Sequence, residues 1–430
     1  MFQMTTRRTV LAAFLFCALL FVACGDSESS SVSDGFTEPT ITPEEPEKND
    51  SIAKPDSIAE PDSVSSDSAE TGFVREDSVG LHTFVVGDGS GQLVSSDLYL
   101  DYPADSFLVK FEIGDIVTAA IPGYDTLELP VVEAANDVPI AGFSLIPTIG
   151  SQNIVLTVHN GRMAEILGIT DVTTPIEVII SMKEKGGFLF GLEMRYLQYL
   201  DIYPERYPEL SIEEYANFRE VRTTGMGEKK LYRSSSPIDD CLGRNLYVDS
   251  LAKNAGVATF INLTDTEDYA RTYPDFDSSY YATQNVIYLS LTTEFYSRRF
   301  KDGIVKGYRF MIEHEGPYLA HCIYGMDRTG FTIAVLEALM GAKTEEIQAD
   351  YAKTFTNYFN VVGGVQVTYN EQQANFFKDV VIRNLRAVFH ADGIDIPDTG
   401  DIDWATAAEQ FLEKQGMTKD EIAALKDRLK

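Results

Sequence analysis

The chain contains little cysteine, histidine and basic charge. It has four cysteines and five histidines in 430 residues, and no C-x-x-C pair. So few cysteines exclude a disulfide scaffold, and the absence of a C-x-x-C pair excludes a cysteine-based zinc site and a thioredoxin-like redox motif. Lys and Arg number 35 against 66 Asp and Glu, a formal net charge of −31. A field of that sign repels nucleic acid, so we expect no nucleic-acid partner.

Apolar residues are plentiful enough for a folded protein. The hydrophobic fraction is 44% and the aromatic fraction 11%, which excludes a chain that is disordered throughout. At about 150 residues per domain, the length allows two or three domains.

Residues 1–24 are typical of an export signal. Arg7 and Arg8 precede an uncharged apolar run that is too short to span a bilayer of about 30 Å. The run ends at Cys24, and this junction resembles a bacterial lipoprotein signal, in which the cysteine is lipidated. An ordinary signal peptide with an incidental cysteine is the alternative. Both interpretations predict export, and the first predicts a membrane anchor at Cys24, in the periplasm or at the cell surface of a bacterium.

Residues 25–71 have the composition of a disordered tether. Between Gly25 and Glu70 there are 13 acidic residues, 2 lysines, 11 serines and 5 prolines. Such a segment buries too little apolar surface to offset its ordering entropy. We therefore expect an extended acidic spacer between a membrane and a folded part.

Residues 72–200 alternate apolar and polar positions between turn residues, a pattern that predicts a small β-rich domain of unknown role. His82 and His159 have no acidic or cysteine neighbours at ligand spacing, so we expect them to be structural. The aromatic run from Phe188 to Tyr203 is expected to pack this domain on the next one, and a binding surface is the alternative. The predicted strands are HTFVV, DLYLDY, FLVKFEIGDIVTAAI, TLELPVV, NIVLTVH and IEVIISM.

Residues 205–430 alternate buried strands with helical stretches, which predicts an α/β fold with a mainly parallel sheet and flanking helices. The strands are VATFINL, NVIYLSL and PYLAHC, and the helices include 302–313 and 331–340. Ser211 to Glu214 and Thr418 to Glu421 have the pattern of capping boxes. Ligands of such sheets bind at the carboxyl ends of the strands.

One strand in this region leads directly into a loop that contains reactive and anion-binding residue types. The strand ends at His321-Cys322, and a short loop with Gly325 leads to Arg328-Thr329-Gly330 at the start of an apolar helix. Backbone amides of such a loop can turn inward at a positive helix N-terminus and hold a tetrahedral dianion. Arg328 can bind two of its oxygens, and Cys322 can attack as a thiolate. Alternatively, Cys322 is a buried strand-end residue and Arg328 a helix-capping charge.

The sequence His321-Cys322-x-x-Gly325-x-Asp327-Arg328-Thr329-Gly330 resembles the signature of cysteine-dependent phosphatases, closest to the bacterial tyrosine-phosphatase-like branch with HCxxGKDRTG. Upstream, Asn217 to Glu220 is similar to the NFRD element of that branch, and Leu231 to Ser234 to its YRS element. VATFINLTD and the Asp350-Tyr351 helix are similar to further parts. The resemblance covers about residues 214–358 and does not reach the β-rich domain.

The resemblance implies a role for each residue of the loop. Cys322 would be the nucleophile that forms a phosphocysteine, and Arg328 the phosphate clamp. His321 would orient the loop and favour the thiolate, and the Thr329 hydroxyl would stabilise sulfur as the leaving group. No metal or other cofactor would be needed. The substrate-binding positions would be Ile323, Tyr324, Gly325, Met326 and Gly330.

The general acid is less directly indicated. Asp327 occupies the position of the loop aspartate that serves in the resembled branch, and Glu294 and Asp265 are reserve candidates. Tyr273-Pro274-Asp275 mimics the WPD loop of animal tyrosine phosphatases, but it precedes the strand that it should follow, so we treat it as incidental. Cys241 is expected to be a small buried residue, or else to protect Cys322 by reversible pairing.

The expected partner is a phosphorylated protein or a small phosphoester. Met326 stands where the resembled branch has lysine, which weakens the case for polyphosphorylated inositols or phosphoinositides and favours phosphotyrosine. A phosphate-binding lipoprotein without catalysis and a cysteine hydrolase of another type are the remaining alternatives.

Overall fold

The computed structural model describes residues 78–84, 97–169, 176–199, 210–358, 361–362, 365–366, 369–397 and 401–430. The predicted export signal, Cys24 and the tether lie outside the described residues. Every described residue belongs to one compact unit, Glu76–Lys430. Within that unit we call residues 78–199 the β-rich region and residues 210–430 the α/β region. No helix of the described residues is long and apolar enough to cross a membrane.

The β-rich region is a seven-stranded antiparallel sheet in the order β4-β3-β7-β1-β2-β6-β5. A bridge between Val131, just after β4, and Leu145 in β5 joins the two ends of this order, so the sheet closes on itself. The strands are β1 (Ser78–Phe84), β2 (Leu98–Leu100), β3 (Ile116–Ala120), β4 (Leu127–Pro130), β5 (Phe143–Ile146), β6 (Ile154–Val158) and β7 (Glu177–Glu184). Its helices are α1 (Ala104–Phe107), α2 (Met163–Ile166) and α3 (Leu189–Tyr199).

The predicted strand FLVKFEIGDIVTAAI is only half correct. Its second half forms β3, whereas its first half begins in α1 and continues as turns. Phe107 and Phe111 stack with ring centroids 4.5 Å apart, a spacing of four residues that belongs to a helical turn and not to a strand. Conversely, β5 was not among the predicted strands.

The α/β region contains a five-stranded sheet in the order β11-β10-β12-β9-β8, parallel except for β8. All residues of β9, β10 and β12 are buried, as expected for strands covered on both faces. These strands are β8 (Arg219–Glu220), β9 (Leu231–Ser234), β10 (Thr259–Asn262), β11 (Asn285–Tyr288) and β12 (Tyr318–His321), and a hairpin pairs β13 (Val361–Val362) with β14 (Val365–Gln366). The mainly parallel α/β fold is thereby confirmed.

Helices flank this sheet, and their ends follow capping chemistry. Ser211 and Thr418 each accept a hydrogen bond from the amide three residues later, so both predicted capping boxes form. The helices are α4 (Ile212–Tyr215), α5 (Asn245–Ala255), α6 (Glu267–Ala270), α7 (Arg298–Glu313), α8 (Asp327–Met340), α9 (Thr344–Tyr358), α10 (Glu371–Ala391), α11 (Trp404–Lys414) and α12 (Lys419–Leu429).

The two regions share one hydrophobic core. Buried side chains of the β-rich sheet, such as Leu145, belong to the same cluster as Phe295 and Phe331 of the α/β region. From the aromatic run, Phe190 on α3 meets Phe376 on α10 edge to face, with centroids 6.0 Å apart. This part of the run packs one region on the other, as the sequence suggested.

Candidate active site

The site lies at the carboxyl ends of the parallel strands. In the sheet register His321 of β12 is level with Ser234 of β9 on one side and Asn262 of β10 on the other. The chain leaves β12 at Cys322, which is 3% exposed, and enters α8 at Asp327. Strand, loop and helix therefore follow one another as the sequence predicted, with Cys322 between two flanking strand ends.

Gly325 gives the loop its tight path. Its φ is +69°, and a Cβ atom there would lie 2.1 Å from the carbonyl oxygen of Ser234. Any other residue would have to displace the backbone of β9 as well as adopt a left-handed conformation. The loop therefore depends on glycine at this position for both reasons.

Residues outside the loop donate hydrogen bonds to three of its carbonyl groups. The Ser236 amide donates to the Ile323 carbonyl at 3.1 Å, the Asn217 side-chain amide to that of Tyr324 at 3.1 Å, and the Arg233 guanidinium to that of Gly325 at 2.8 Å. A peptide group points its N–H opposite to its C=O. The amides of Tyr324, Gly325 and Met326 therefore face the opposite side. Successive amides that face one side suit an anion, and we call these three the anion nest.

A buried ion-pair cluster supports this arrangement. Asp350 on α9 binds Arg219 at 2.8 Å and also contacts Arg233. Burial acts to raise the pKa of Asp350, but the charges and hydrogen bonds of the two arginines lower it below its usual range. Arg219 further donates to Thr354 at 3.1 Å and to the side-chain oxygen of Asn217 at 2.7 Å. The NFR-like and YRS-like elements thus hold the back of the loop.

Arg328 lies at the start of α8 and is 7% exposed. One of its terminal nitrogens, Nη1, donates to the carbonyl oxygen of Leu291 at 2.7 Å. Leu291 belongs to the segment that follows β11. Sequence reasoning did not single out Leu291, because a backbone acceptor leaves no signature in residue type.

His321 is fully buried and meets the ring of Tyr281 edge to face, with centroids 5.6 Å apart. Burial, together with the charge of Arg328, lowers the pKa of His321 to about 3. The imidazole is therefore neutral near pH 7, and it cannot favour a thiolate by carrying a positive charge.

Thr329 and Gly330 lie behind the loop. The Thr329 hydroxyl is buried and has no hydrogen-bond partner among the described residues. The Gly330 amide donates to the Met326 carbonyl at 2.7 Å, and a Cβ atom on Gly330 would lie 2.5 Å from the Tyr351 ring. Because its amide is used within the helix, Gly330 serves helix packing and not the anion nest.

Tyr324 and Met326 are half-buried and pack against the hydrophobic core cluster. Ile323 is also half-buried. The side chains of these loop residues are apolar or aromatic, so they add no charge around the anion nest.

The three acid candidates have different surroundings. Asp327 is half-buried, and burial raises its pKa to about 6, although the charges of Arg195, Arg328 and Arg233 act to lower it. A carboxyl group with that pKa is partly protonated near neutral pH, as a general acid must be.

Asp265 is 4% exposed, accepts hydrogen bonds from Asn262 at 2.9 Å and Tyr273 at 3.3 Å, and has a pKa raised by burial. Tyr273 of the WPD-like sequence is thus a partner of Asp265, whereas Asp275 is exposed. Glu294 instead lines a cavity of about 250 Å³ together with Arg162 and Lys301. Burial thus raises the pKa of both Asp327 and Asp265.

The remaining candidates lie apart from this chemistry. The imidazole of His159 contacts the Val138 carbonyl at 2.6 Å, and burial lowers its pKa to about 4. Cys241 is half-buried, and neither it nor Cys322 forms a disulfide. The described residues contain no group of three or more His, Cys, Asp or Glu side chains that could hold a metal ion.

Comparison with known proteins places these features in a family. The model of the tyrosine phosphatase family matches residues 210–430, which contain the loop and its supporting cluster. Among solved structures, the chain is similar to an uncharacterized conserved protein from Thermotoga maritima, with 18% sequence identity and a TM-score of 0.21. That match covers 25% of this chain and only 37% of the Thermotoga protein. No curated protein matches the chain. Since the family model spans more than half of the chain, the protein belongs to the tyrosine phosphatase family.

Proposed function

We propose that the protein hydrolyses phosphomonoesters, phosphotyrosine above all, through a phosphocysteine intermediate at Cys322. The observation that carries the proposal is the loop itself. Ser236, Asn217 and Arg233 hold three of its carbonyls on one side, so that the amides of the same peptide groups face the opposite side, where we place the phosphoryl group above the Cys322 sulfur. A phosphoryl group bound there would have its negative oxygens on the amides and on Arg328, and its phosphorus in line with sulfur.

In the first step the Cys322 thiolate attacks phosphorus. The new P–S bond forms as the bond between phosphorus and the ester oxygen breaks. Asp327 in its protonated form gives its proton to the departing oxygen, so that the leaving group departs as a neutral alcohol or phenol. The amides and Arg328 stabilise the equatorial oxygens of the transferring group.

In the second step a water molecule attacks the phosphocysteine. Asp327, now a carboxylate, takes a proton from the water as the P–O bond forms and the P–S bond breaks. Sulfur leaves as a thiolate, and the buried Thr329 hydroxyl can donate a hydrogen bond to it. Release of inorganic phosphate restores the starting state.

The preference for phosphotyrosine is supported by charge. Met326 and Tyr324 bring no cation to the loop, and the chain carries a net charge of −31. A polyphosphorylated inositol would need additional cations around its other phosphates. A single aryl phosphate requires only the anion nest and Arg328, and its ring suits apolar loop side chains.

Export and anchoring are also part of the proposal, and they rest on the sequence around Cys24. The leader would direct the chain out of the cytoplasm, and a lipid on Cys24 would tether it through the acidic spacer. Incorporation of labelled fatty acid into the wild-type protein, and its loss in Cys24→Ala, would support the anchor. Equal labelling of both would contradict it.

The first experiment is a phosphatase assay of residues 25–430 with a chelator present. The substrates are an aryl phosphate, a phosphotyrosine peptide, a phosphoserine peptide and a phosphoinositide vesicle. Cys322→Ser should lower kcat by about 10⁴-fold or more, whereas Cys241→Ser serves as the matched thiol control and should remain within about twofold of wild type. Equal rates in wild type and Cys322→Ser would exclude the phosphocysteine route. A faster reaction with phosphoinositide than with phosphotyrosine would overturn the substrate assignment.

A further inference from the structure

The segment of residues 289–297, which follows β11, contacts the catalytic loop on one side. The Leu291 carbonyl accepts the hydrogen bond from Arg328 at 2.7 Å. Four residues later, Phe295 stacks on Phe331 of α8 with ring centroids 4.7 Å apart. Phe331 is one residue beyond Gly330, so this segment touches both the phosphate clamp and the helix that carries it.

The same segment contacts the β-rich region on its other side. The Tyr296 hydroxyl donates to the Ala141 carbonyl at 2.9 Å, and its ring lies 6.1 Å from that of Phe143. The Asn160 side-chain amide donates to the Thr293 hydroxyl at 2.6 Å. Tyr296 is 9% exposed, so its hydrogen bond is made out of contact with bulk water.

The two anchor points in the β-rich region are fixed turns. Ala141 and Asn160 have positive φ angles of 64° and 52°. The Ala141 amide donates to the His159 carbonyl at 2.9 Å, which ties the two turns together. A segment held at such points has less freedom than one held by a mobile loop.

We propose that the β-rich region positions the catalytic arginine. It holds residues 293–296 through Ala141 and Asn160, and thereby keeps the Leu291 carbonyl where it orients the Arg328 guanidinium toward the anion nest. Tyr296 is the main positioning residue in this arrangement. The inference rests on the proposed function, because Arg328 must be the phosphate clamp for its orientation to matter.

Physical chemistry explains why such support is useful. An arginine side chain has several rotatable bonds, and each freely sampled orientation lowers the fraction of molecules ready to bind phosphate. A carbonyl on Nη1 fixes the plane of the guanidinium, whose planar shape suits two oxygens of a phosphate. Leu291 is also held by its own amide, which donates to the Leu263 carbonyl at 2.9 Å. The contacts of the β-rich region with residues 293–296 therefore add to the hydrogen bond that already holds Leu291.

The test compares Tyr296→Phe with Tyr280→Phe in residues 25–430. Tyr280 donates to the Val257 carbonyl, also at 2.9 Å, so both variants remove one phenol-to-carbonyl hydrogen bond. Three quantities are measured: kcat and KM on an aryl phosphate, the inhibition constant of inorganic phosphate, and the unfolding temperature. We expect Tyr296→Phe to lower kcat/KM about five- to tenfold and to weaken phosphate inhibition by a similar factor. Tyr280→Phe should stay within about twofold for both.

A second variant covers the case in which Tyr296→Phe folds poorly. Thr293→Val removes the more exposed contact with Asn160 and should lower kcat/KM about two- to threefold without loss of folded protein. A role in stability alone would lower the unfolding temperature but leave KM and the phosphate inhibition constant unchanged. Wild-type-like KM and phosphate inhibition in both variants would overturn the inference.

Failure of the proposed function gives a different result. If the wild type does not turn over substrate, phosphate binding is read from the rise in unfolding temperature that inorganic phosphate causes, and the same comparison of variants is made on that rise. A wild type that neither turns over substrate nor binds phosphate overturns the proposed function, and the inference about Tyr296 with it.

Discussion

The Arg233 guanidinium joins the ion-pair cluster to the anion nest, because it contacts Asp350 and also donates to the Gly325 carbonyl at 2.8 Å. Arg233 is fully buried on the central part of the sheet, on β9. The shape of the loop is thus set by groups that never need to touch the substrate. Substitutions can therefore test these supporting groups apart from the residues that we propose to touch the substrate.

Arg328→Lys should lower kcat/KM by roughly 10³-fold. A lysine keeps the positive charge but cannot present two parallel N–H groups to a phosphate or donate to Leu291 in the same geometry. Steady-state kinetics on an aryl phosphate measures the effect. Arg298→Lys is the control, because the Arg298 side chain is 92% exposed. A loss of less than tenfold in Arg328→Lys would show that charge alone is enough.

Gly325→Ala should lower activity by more than about 10²-fold. The substitution adds both a strained φ and a collision with the Ser234 carbonyl, which must move or force the loop open. Gly341→Ala is a matched control, since Gly341 has a φ of +90° and nothing within 4 Å of the added Cβ. We expect the control to lose about 1 kcal/mol of stability in urea unfolding and to keep its activity. Similar activities of the two variants would contradict the close approach.

Asp350→Asn should destabilise the fold by about 3–5 kcal/mol. The change leaves two buried arginines without their counter-charge. Urea unfolding at pH 7 measures it, and Asp302→Asn, in an exposed pair with Arg298, should cost less than about 0.5 kcal/mol.

The same cluster predicts a pH dependence of stability. The pKa of Asp350 is lowered in the folded state, so its contribution is present above the unfolded pKa of about 4 and is lost as the pH falls through the folded value. The difference in unfolding free energy between wild type and Asp350→Asn should therefore shrink below pH 4. A constant difference from pH 7 to pH 3 would contradict the ionised state of Asp350.

The pKa of Asp327 predicts how kcat/KM changes at alkaline pH. In the proposed mechanism its protonated form is the acid, and burial raises its pKa to about 6, so kcat/KM should fall as the pH rises above that value. Asp327→Asn should remove this dependence and lower the rate by about 10²-fold, more for phenyl phosphate than for a nitrophenyl phosphate, whose leaving group needs less protonation. Asp265→Asn is run beside it. If Asp265→Asn removed the fall in kcat/KM at alkaline pH and Asp327→Asn did not, Asp265 would be the general acid.

Arg195 on α3 links the β-rich region to that acid. Among the charges that lower the pKa of Asp327, Arg195 has the largest effect. Arg195→Gln should therefore raise the pKa of Asp327 and shift the alkaline limb to higher pH. Arg162→Gln, which removes a half-exposed arginine paired with Glu165 elsewhere in the β-rich region, should leave the limb in place. A shift to lower pH, or equal profiles in both variants, would contradict this coupling.

The order of strand, loop and helix around Cys322 could be predicted because its signals are local. A buried strand, Cys322, Gly325 and Arg328 follow one another closely in the sequence. The sequence also predicted the alternation of strand and helix, since buried parallel strands read as apolar runs. The family match confirms both the fold class and the resemblance to tyrosine phosphatases.

Contacts distant in sequence could not be predicted in the same way. Asp350 lies 131 residues from Arg219, and nothing in residue spacing pairs them. Leu291 acts through a carbonyl, which every residue has. The first half of the predicted β3 strand begins at the end of α1 and continues as turns. Apolar residues four apart also satisfy a helical turn, and a short run does not distinguish the two periods. The role assigned to Cys322 stays a prediction, which the assay of Cys322→Ser tests.

The bridge between Val131 and Leu145 has a consequence for behaviour at high concentration. Unpaired strand edges offer N–H and C=O groups to the edges of other molecules and so seed aggregation. In the β-rich region the two terminal strands of the sheet, β4 and β5, meet each other instead. This closure protects the part of the protein richest in strands from intermolecular pairing, so substitutions that open it should promote aggregation before they affect turnover.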